Sequence, residues 1–511
     1  MHRTASLLIS SASLLLTAPL LTAQEAAAEA ASIFNGKSLD GWDGDPRFWR
    51  VEDGCITGQT TAEAPTESNT FLIWKDGEVD DFELTAEYKL IGGNSGIQVR
   101  SFPIADANLK WRVGGYQADF EAGTTYSGIV YGEGYRGILA NRGQRTVIGN
   151  DSKPVVKEQF AESAKLQEVI KSEDWNKIRV HASGWTVENY INDTLTASVT
   201  DEDTAHRRRG GLLALQLHAG PPMKVQFRNL KLKRLPMKDV KKVVFIAGRA
   251  SHGAGEHEHR AGSKLLSNLI NRDLSDKLYS TVYSQGWPND GTAFQNADAI
   301  VMYSDGGGGH MVIPHLAEVE AANKRGVGVG AIHYAVEIPA GQGGKPFLDW
   351  MGGYFEENWS VNPHWNADFK QLPVHPVTRG VSPFKANDEW YYHMRFRPEN
   401  KGVTPILSAL PGPDTLSRPD GPHSGNPAVR ESVAKGEVQH MMWTSDNANG
   451  SRGFGFTGAH YHKNWKEDNF RTVVVNAIGW IAKLEIPEGG LKTKSPGDDE
   501  MNAHLDAKGK R

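Results

Sequence analysis

Residues 248 to 262 read "GRASHGAGEHEHRAG" and follow the apolar run "KKVVFIA". His252, His257 and His259 therefore stand just past a predicted strand end, and imidazole is the side chain that holds metals and moves protons near neutral pH. "HEH" is not the helical H-E-x-x-H of zinc proteases, because residues two apart diverge on a helix; on a loop both rings can reach inward. Three more predicted strands end in the same residue type. "AIVMYSDGGGGH" leads to His310, "GVGAIHYAVE" to His333 with Glu337 beyond it, and "GFGFTGAHYH" to His460 and His462. Ligands of an open parallel sheet bind beyond the carboxyl ends of its strands. His252, His257, His259, His310, His333 and His460 are thus expected to line one pocket. Neutral imidazoles suit a divalent metal such as zinc or manganese, with His252, His257, His259, His310 and His460 as candidate ligands. Without metal, the same groups and His333 form a general acid–base site.

A second cluster is aromatic. "NDEWYYHMRF" offers Glu389, Tyr392 and His393, and "ENWSVNPHW" offers Trp365. Rings beside carboxylates suit sugars, which present C–H faces and hydroxyls together.

The elements that must position these groups fall into two halves. From Ser32 to about Leu235 the period is two: "DFELTAEYKL" alternates Phe82, Leu84, Ala86, Tyr88 and Leu90 on one face. "WNKIRVHASGWTVENYINDTLTASV" reads as three strands, with Asn192-Asp193 as a tight turn. Many short strands with glycine-rich turns predict an antiparallel jelly-roll sandwich over 32–235, interrupted by one helix within "KEQFAESAKLQEVIKSEDW". From about 240 to 485, apolar β-branched runs alternate with helical stretches, which predicts an α/β domain with a parallel sheet. The tail, 487–511, is polar and reads as disordered. "SLLISSASLLLTAPLL" after His2-Arg3 reads as a signal peptide over 1–23, so export to the periplasm or outside the cell is expected. No later segment reads as a membrane span. The net charge of −5 carries no basic block of the kind that nucleic acid requires. Cys55 is the only cysteine, which excludes an intrachain disulfide or a thiolate cluster. The oligomeric state is not legible.

The C-terminal half resembles ThuA-like (trehalose-utilisation) domains, which share the class I glutamine amidotransferase fold. The resemblance rests on "VVFIAGRASHGAGEHEHRAG", "RGVGVGAIHYAVE", "GGYFEENWSVNPHW", "HPVTRGV" and "DEWYYHMRF". The N-terminal half resembles 3-keto-disaccharide hydrolase domains, concanavalin-like jelly rolls, through "IFNGKSLDGW", "GNSGIQVRS", "GGYQADFE", "GIVYGEGYRG" and "LQLHAGPPMKVQFRNLKLKRL". The chain departs from these patterns in two places. His333 stands where amidotransferases carry a nucleophilic cysteine, and no G-x-S-x-G is present. Gln117 stands where many jelly-roll relatives carry glutamate, leaving Asp119 and Glu133 as acidic candidates. The resemblance implies a carbohydrate substrate oxidised to a 3-ketone, cleaved by proton abstraction beside the ketone and loss of the glycosidic oxygen. Strand alternation would then turn Gln98, Arg100, Gln117, Asp119, Gln216 and His218 toward a groove, with Ile97, Val99, Leu215 and Leu217 in the core. Arg100 would hold substrate oxygens, with Asp119 or His218 moving the proton. Alternatively the jelly roll only binds carbohydrate and the ThuA-like domain is catalytic, or neither domain is catalytic.

Overall fold

The computed structural model describes residues 29–105 and 110–508; the signal-peptide expectation lies outside them. The N-terminal region is a sandwich of a ten-stranded and a seven-stranded sheet. Its core comes from the alternation already read. Phe82, Leu84, Ala86, Tyr88 and Leu90 are all buried on strand Phe82–Ile91, and exposed or half-exposed residues separate them. Asn192 and Asp193 both take left-handed backbone between strands Thr186–Ile191 and Thr194–Asp201, as a tight hairpin turn requires. The expected helix shrinks to Ser163–Gln167. "PVVKEQ" before it is a fully exposed strand, Pro154–Gln159, at the end of the larger sheet.

The C-terminal region is built on a seven-stranded mixed sheet. Strands Leu278–Tyr283, Lys241–Ala247, Ala299–Tyr303, Gly328–Ile332 and Arg452–Phe456 lie parallel in that spatial order. Strands Gln439–Asp446 and Val403–Ala409 complete it antiparallel. The central strands Ala299–Tyr303 and Gly328–Ile332 are apolar and buried throughout because helices and loops cover both faces. No helix of the described residues is long and apolar enough to cross a membrane.

The expected disorder of the tail does not hold over its described residues. Leu491 and Met501 are buried, and a short helix spans Asp498–Asn502. Glu500 pairs with Arg272 at 2.5 Å, and the Lys508 ammonium lies 3.2 Å from Glu258. A few anchors are enough to hold a segment whose average composition is polar.

The two regions share a buried ionic seam. Asp80 of the sandwich meets Lys242 of the second region at 2.5 Å and accepts from Asn296 at 2.8 Å. Arg234 of the sandwich meets Asp290 of the second region at 2.6 Å. All five side chains are nearly or fully buried. Burial alone would push the Asp80 carboxyl up, but Lys242 and Arg234 hold it below the usual range.

Candidate functional site

Three of the four expected strand ends converge, and a strand of a separate two-stranded sheet, rather than the one leading to His310, supplies the fourth arm. Strand Lys241–Ala247 ends at Gly248, where a Cβ would stand 2.7 Å from the Cβ of Ser304; the close approach lets the loop turn out toward His257. Strand Gly328–Ile332 delivers His333, Phe384–Glu389 delivers Glu389, and Arg452–Phe456 leads to His460. One ligand atom from each of His257, His333, Glu389 and His460 lies within 4.8 Å of all the others, and all four residues are buried.

The proton inventory of this cluster is informative. His333 Nδ1 faces the Thr457 carbonyl at 2.8 Å, which can only accept, so the proton sits on Nδ1 and Nε2 is bare. His257 Nδ1 donates to the Asp305 carboxylate at 3.0 Å, so its Nε2 is bare too. These two Nε2 atoms face each other at 3.1 Å. His460 Nδ1 lies 3.0 Å from His257 Nε2 and 3.1 Å from Glu389 Oε2. Lone pairs aimed at one another call for a cation between them. Burial, then the neighbouring imidazoles, depresses His257 far below its ordinary range, which keeps it neutral. Burial would raise Glu389, but the His333 and His460 imidazoles beside it hold its carboxyl well below the ordinary range.

Ligands about 2.0–2.1 Å from a tetrahedral zinc lie roughly 3.3 Å apart; four of the six separations here run from 3.0 to 3.5 Å, and all lie within 4.8 Å. The three-nitrogen, one-carboxylate set therefore fits a borderline divalent metal. Supporting groups fix the ligands. Asp305 orients His257, and Asp388 accepts from the backbone N–H groups of Ala459 and His460 at 2.8 and 3.0 Å. The Tyr391 hydroxyl lies 3.2 Å from both His333 Nε2 and Glu389 Oε2.

Several expected members stand elsewhere. His252 is half exposed and stacks on His257, ring centroids 3.6 Å apart. His259 donates from Nδ1 to the Arg249 carbonyl, while its Nε2 lies 3.7 Å from Asp305. Neither belongs to the four-residue cage. His310 is excluded from the pocket: Nε2 donates to Ala335 O and Nδ1 accepts from Val312 N–H, so its backbone partners use both nitrogens. Burial lowers its pKa to about 4. Glu337 pairs with His423 at 2.9 Å instead of joining the cage.

The aromatic sugar platform is not formed as expected. Trp365 packs in the core and donates to Trp390 O, because His364, its neighbour on the opposite strand face, takes the side toward Glu389. Tyr392 is buried against Thr415, and His393 bonds to the Trp359 carbonyl and packs tilted against its ring. Only Glu389 of that set reaches the site. Sequence reasoning missed Asp305, and it placed Asp388, Tyr391 and His364 in the aromatic cluster rather than beside the cage. Asp305, a carboxylate directly after the strand Ala299–Tyr303, carried a usable signal.

The sandwich has its own groove of about 940 Å³. Gln117, Asp119, Gln216 and His218 line it, as alternation implied, together with the acidic candidate Glu133. Gln117 Nε2 donates to Asp119 at 2.7 Å and approaches Gln216 Oε1 at 3.2 Å, and its own oxygen accepts from Gln98 at 2.7 Å. Asn94 donates to Asp119 at 2.9 Å, and Asn69 donates to Glu133 at 3.2 Å. Burial raises Asp119 to about 7, against the lowering effect of the Asn94 and Gln117 hydrogen bonds. Gln98 sits behind the lining residues. The expected role of Arg100 is overturned. A register shift between Val99 and Phe102, with Arg100 at φ 48°, breaks the alternation and sends the guanidinium to Asp81 at 2.8 Å. Ile97, Val99, Leu215 and Leu217 are in the core as expected.

Fold and sites together define a fusion of a jelly-roll sandwich with a polar groove and an α/β domain with an imidazole–carboxylate cage. Residues 29–233 match the family described as 3-keto-alpha-glucoside-1,2-lyase-like domain, and residues 244–481 match the trehalose utilisation family, ThuA. The chain carries both domains in that order, and at a coarse level both tie it to carbohydrate. None of the curated proteins matches the chain significantly. Among solved structures, it is similar to a "putative glycosyl hydrolase" from Parabacteroides distasonis ATCC 8503 (18% identity, 40% of this chain, 100% of that chain, TM-score 0.28). It is also similar to a ThuA-like protein from Bacteroides uniformis ATCC 8492 (16%, 48% and 91%, TM-score 0.34). A third is the carbohydrate-binding module CBM66 from Bacillus subtilis (14%, 38% and 95%, TM-score 0.26).

Proposed function

We propose that the protein is an exported enzyme that cleaves 3-keto-glycosides, with proton transfer in the sandwich groove. The observation that carries this reading is Asp119, a buried carboxyl raised to about 7 and held by Asn94 and Gln117 in a ligand-sized groove. A base poised near ambient pH suits removal of the C2 proton, which a C3 ketone makes acidic. The C2–H bond breaks, its electrons form the enediolate, and the C1–oxygen bond breaks as the leaving alcohol takes up a proton. Glu133 and His218 line the same groove and are placed to supply it. Addition of water to the unsaturated sugar completes a net hydrolysis.

Asp119→Asn in the full chain is expected to lower kcat on a 3-keto-glucoside by roughly 10²-fold or more, with KM little changed. The parent's rate should rise with pH through a midpoint near 7, because the base must be ionised. Stability responds in the opposite direction. A carboxyl raised in the folded state favours folding below its ordinary pKa, and that contribution is lost as pH rises through about 7. The Asn variant should lose this loss. A stopped assay across pH 5–9 with parallel melts measures both.

The cage favours a second reading, in which the sandwich binds sugar and the ThuA-like domain reacts. A bound divalent ion would polarise a carbonyl or hydroxyl oxygen. There the Tyr391 hydroxyl, donating to Glu389, would hold the adjacent proton, and Asp305 would keep His257 in the required tautomer. Retained activity in Asp119→Asn, with loss in Glu389→Gln, would select this reading over the first.

A further inference from the structure

A third concavity, about 800 Å³, lies between the two domains and is used by neither reading. Its floor is the sheet's topological switch point. Strand Lys241–Ala247 pairs with Leu278–Tyr283 on one side and Ala299–Tyr303 on the other, so the loops leaving its carboxyl edge diverge. Such points are where open α/β sheets bind ligands. Loops following all three strands line the cleft, and the sandwich closes it with residues 74 to 78. Asp305 is shared: it lines the cleft and holds His257 Nδ1 at 3.0 Å.

We propose that this cleft is a carbohydrate subsite, built jointly by both domains, that holds the part of a neutral glycan remote from its reacting sugar. The wall chemistry points to that class. Lys264 and Arg249 on one domain face a cleft to which the other contributes Glu78, and Gln285 adds an amide. Among the described residues, none of Lys264, Arg249 and Glu78 forms an ion pair within 4.0 Å. Donors and acceptors of both signs suit a dense set of hydroxyls, whereas an anionic ligand would want cations without the carboxylates. Trp287 supplies a platform. Its indole is held flat against His315, centroids 4.5 Å apart, with Nε1 donating to Glu318, and the ring remains half exposed at the cleft. A fixed aromatic face is what the C–H side of a pyranose stacks on. The choice of carbohydrate rests in part on the function proposed above; the existence of the site does not.

The test is titration of the full chain with neutral gluco-oligosaccharides of two to six units, α- and β-linked, followed by tryptophan fluorescence. Trp287→Ala, Arg249→Ala and Glu78→Ala are each expected to weaken binding by about tenfold or more, as loss of a stacking or charged hydrogen-bonding partner does. Asp119→Asn, in the other groove, should leave that binding intact. Because Glu78 and Arg249 are exposed, their removal keeps the fold even if Trp287→Ala does not; melts verify this. Binding that Asp119→Asn weakens and the cleft variants do not would place the sugar in the sandwich groove and overturn the proposal. So would the absence of binding across the series, or preference for inorganic phosphate or a uronate oligosaccharide. Failure of the 3-keto-glycoside assay with cleft-dependent binding retained would sink only the catalytic reading.

Discussion

Glu389→Gln is expected to empty the imidazole cage of divalent metal. The parent should carry close to one equivalent per chain by elemental analysis, because His257, His333 and His460 present nitrogen lone pairs that no proton can satisfy together. The carboxylate is the set's only anion, and the uncharged amide leaves three neutral nitrogens to hold a dication. Loss of a ligand of this kind should drop occupancy below detection after dialysis. His257→Ala should do the same. Asp305→Asn tests the supporting shell, since it leaves the four ligands in place and removes the acceptor that fixes the His257 tautomer; a fall of about 10–100-fold in metal affinity is expected. A parent that purifies without metal and takes up neither zinc nor manganese would turn the cage into an acid–base site.

Breaking the seam between the domains should be the most destabilising single change. Asp80→Asn leaves Lys242 fully buried without its carboxylate, and Lys242→Met leaves Asp80 with Arg234 at 3.6 Å, the Asn296 amide and the Asp81 backbone N–H. Removing one partner of a buried pair costs about 3–5 kcal/mol, whereas removing both with good packing is close to neutral. The double variant Asp80→Asn/Lys242→Met should therefore recover most of the loss in a urea melt. The pH dependence has a definite sign. A carboxyl depressed in the folded state stabilises above its ordinary range, and that stability is lost as pH falls through the folded value. Acid sensitivity should be smaller in the double variant. Equal melts for single and double variants would show that the pair is not coupled.

Much of the architecture was legible because it follows from burial period. Phe82 to Leu90 could alternate only on a half-buried strand, and the runs ending at Ala247, Tyr303 and Ile332 could be apolar throughout only inside a covered sheet. Strand ends share one edge, so the meeting of His257, His333 and His460 was accessible too. Phase was harder to read. Tyr391 and Tyr392 are indistinguishable in sequence, yet one touches Glu389 and the other Thr415. Arg100 was misplaced because a local irregularity with positive φ inverts the facing of everything after it. His310 failed for a different reason: whether an imidazole serves a ligand or the backbone depends on carbonyls and amides that sequence does not position. The packed tail shows that average polarity says little about where a few apolar anchors land.

The backbone beneath the cage has a further consequence. His257 and His333 sit at φ 44° and 57°, and Ala459, just before His460, sits at 81°. Three of the cage's four arms thus cross left-handed territory without a glycine to ease it, at roughly 1–2 kcal/mol per residue. Stability and site chemistry pull in opposite directions at these positions. A library of this chain selected for heat resistance alone would drift toward glycine at 257, 333 and 459. It would arrive at a sturdier protein with only Glu389 and His460 left to grip an ion, so thermal selection here has to be run with a metal-retention screen beside it.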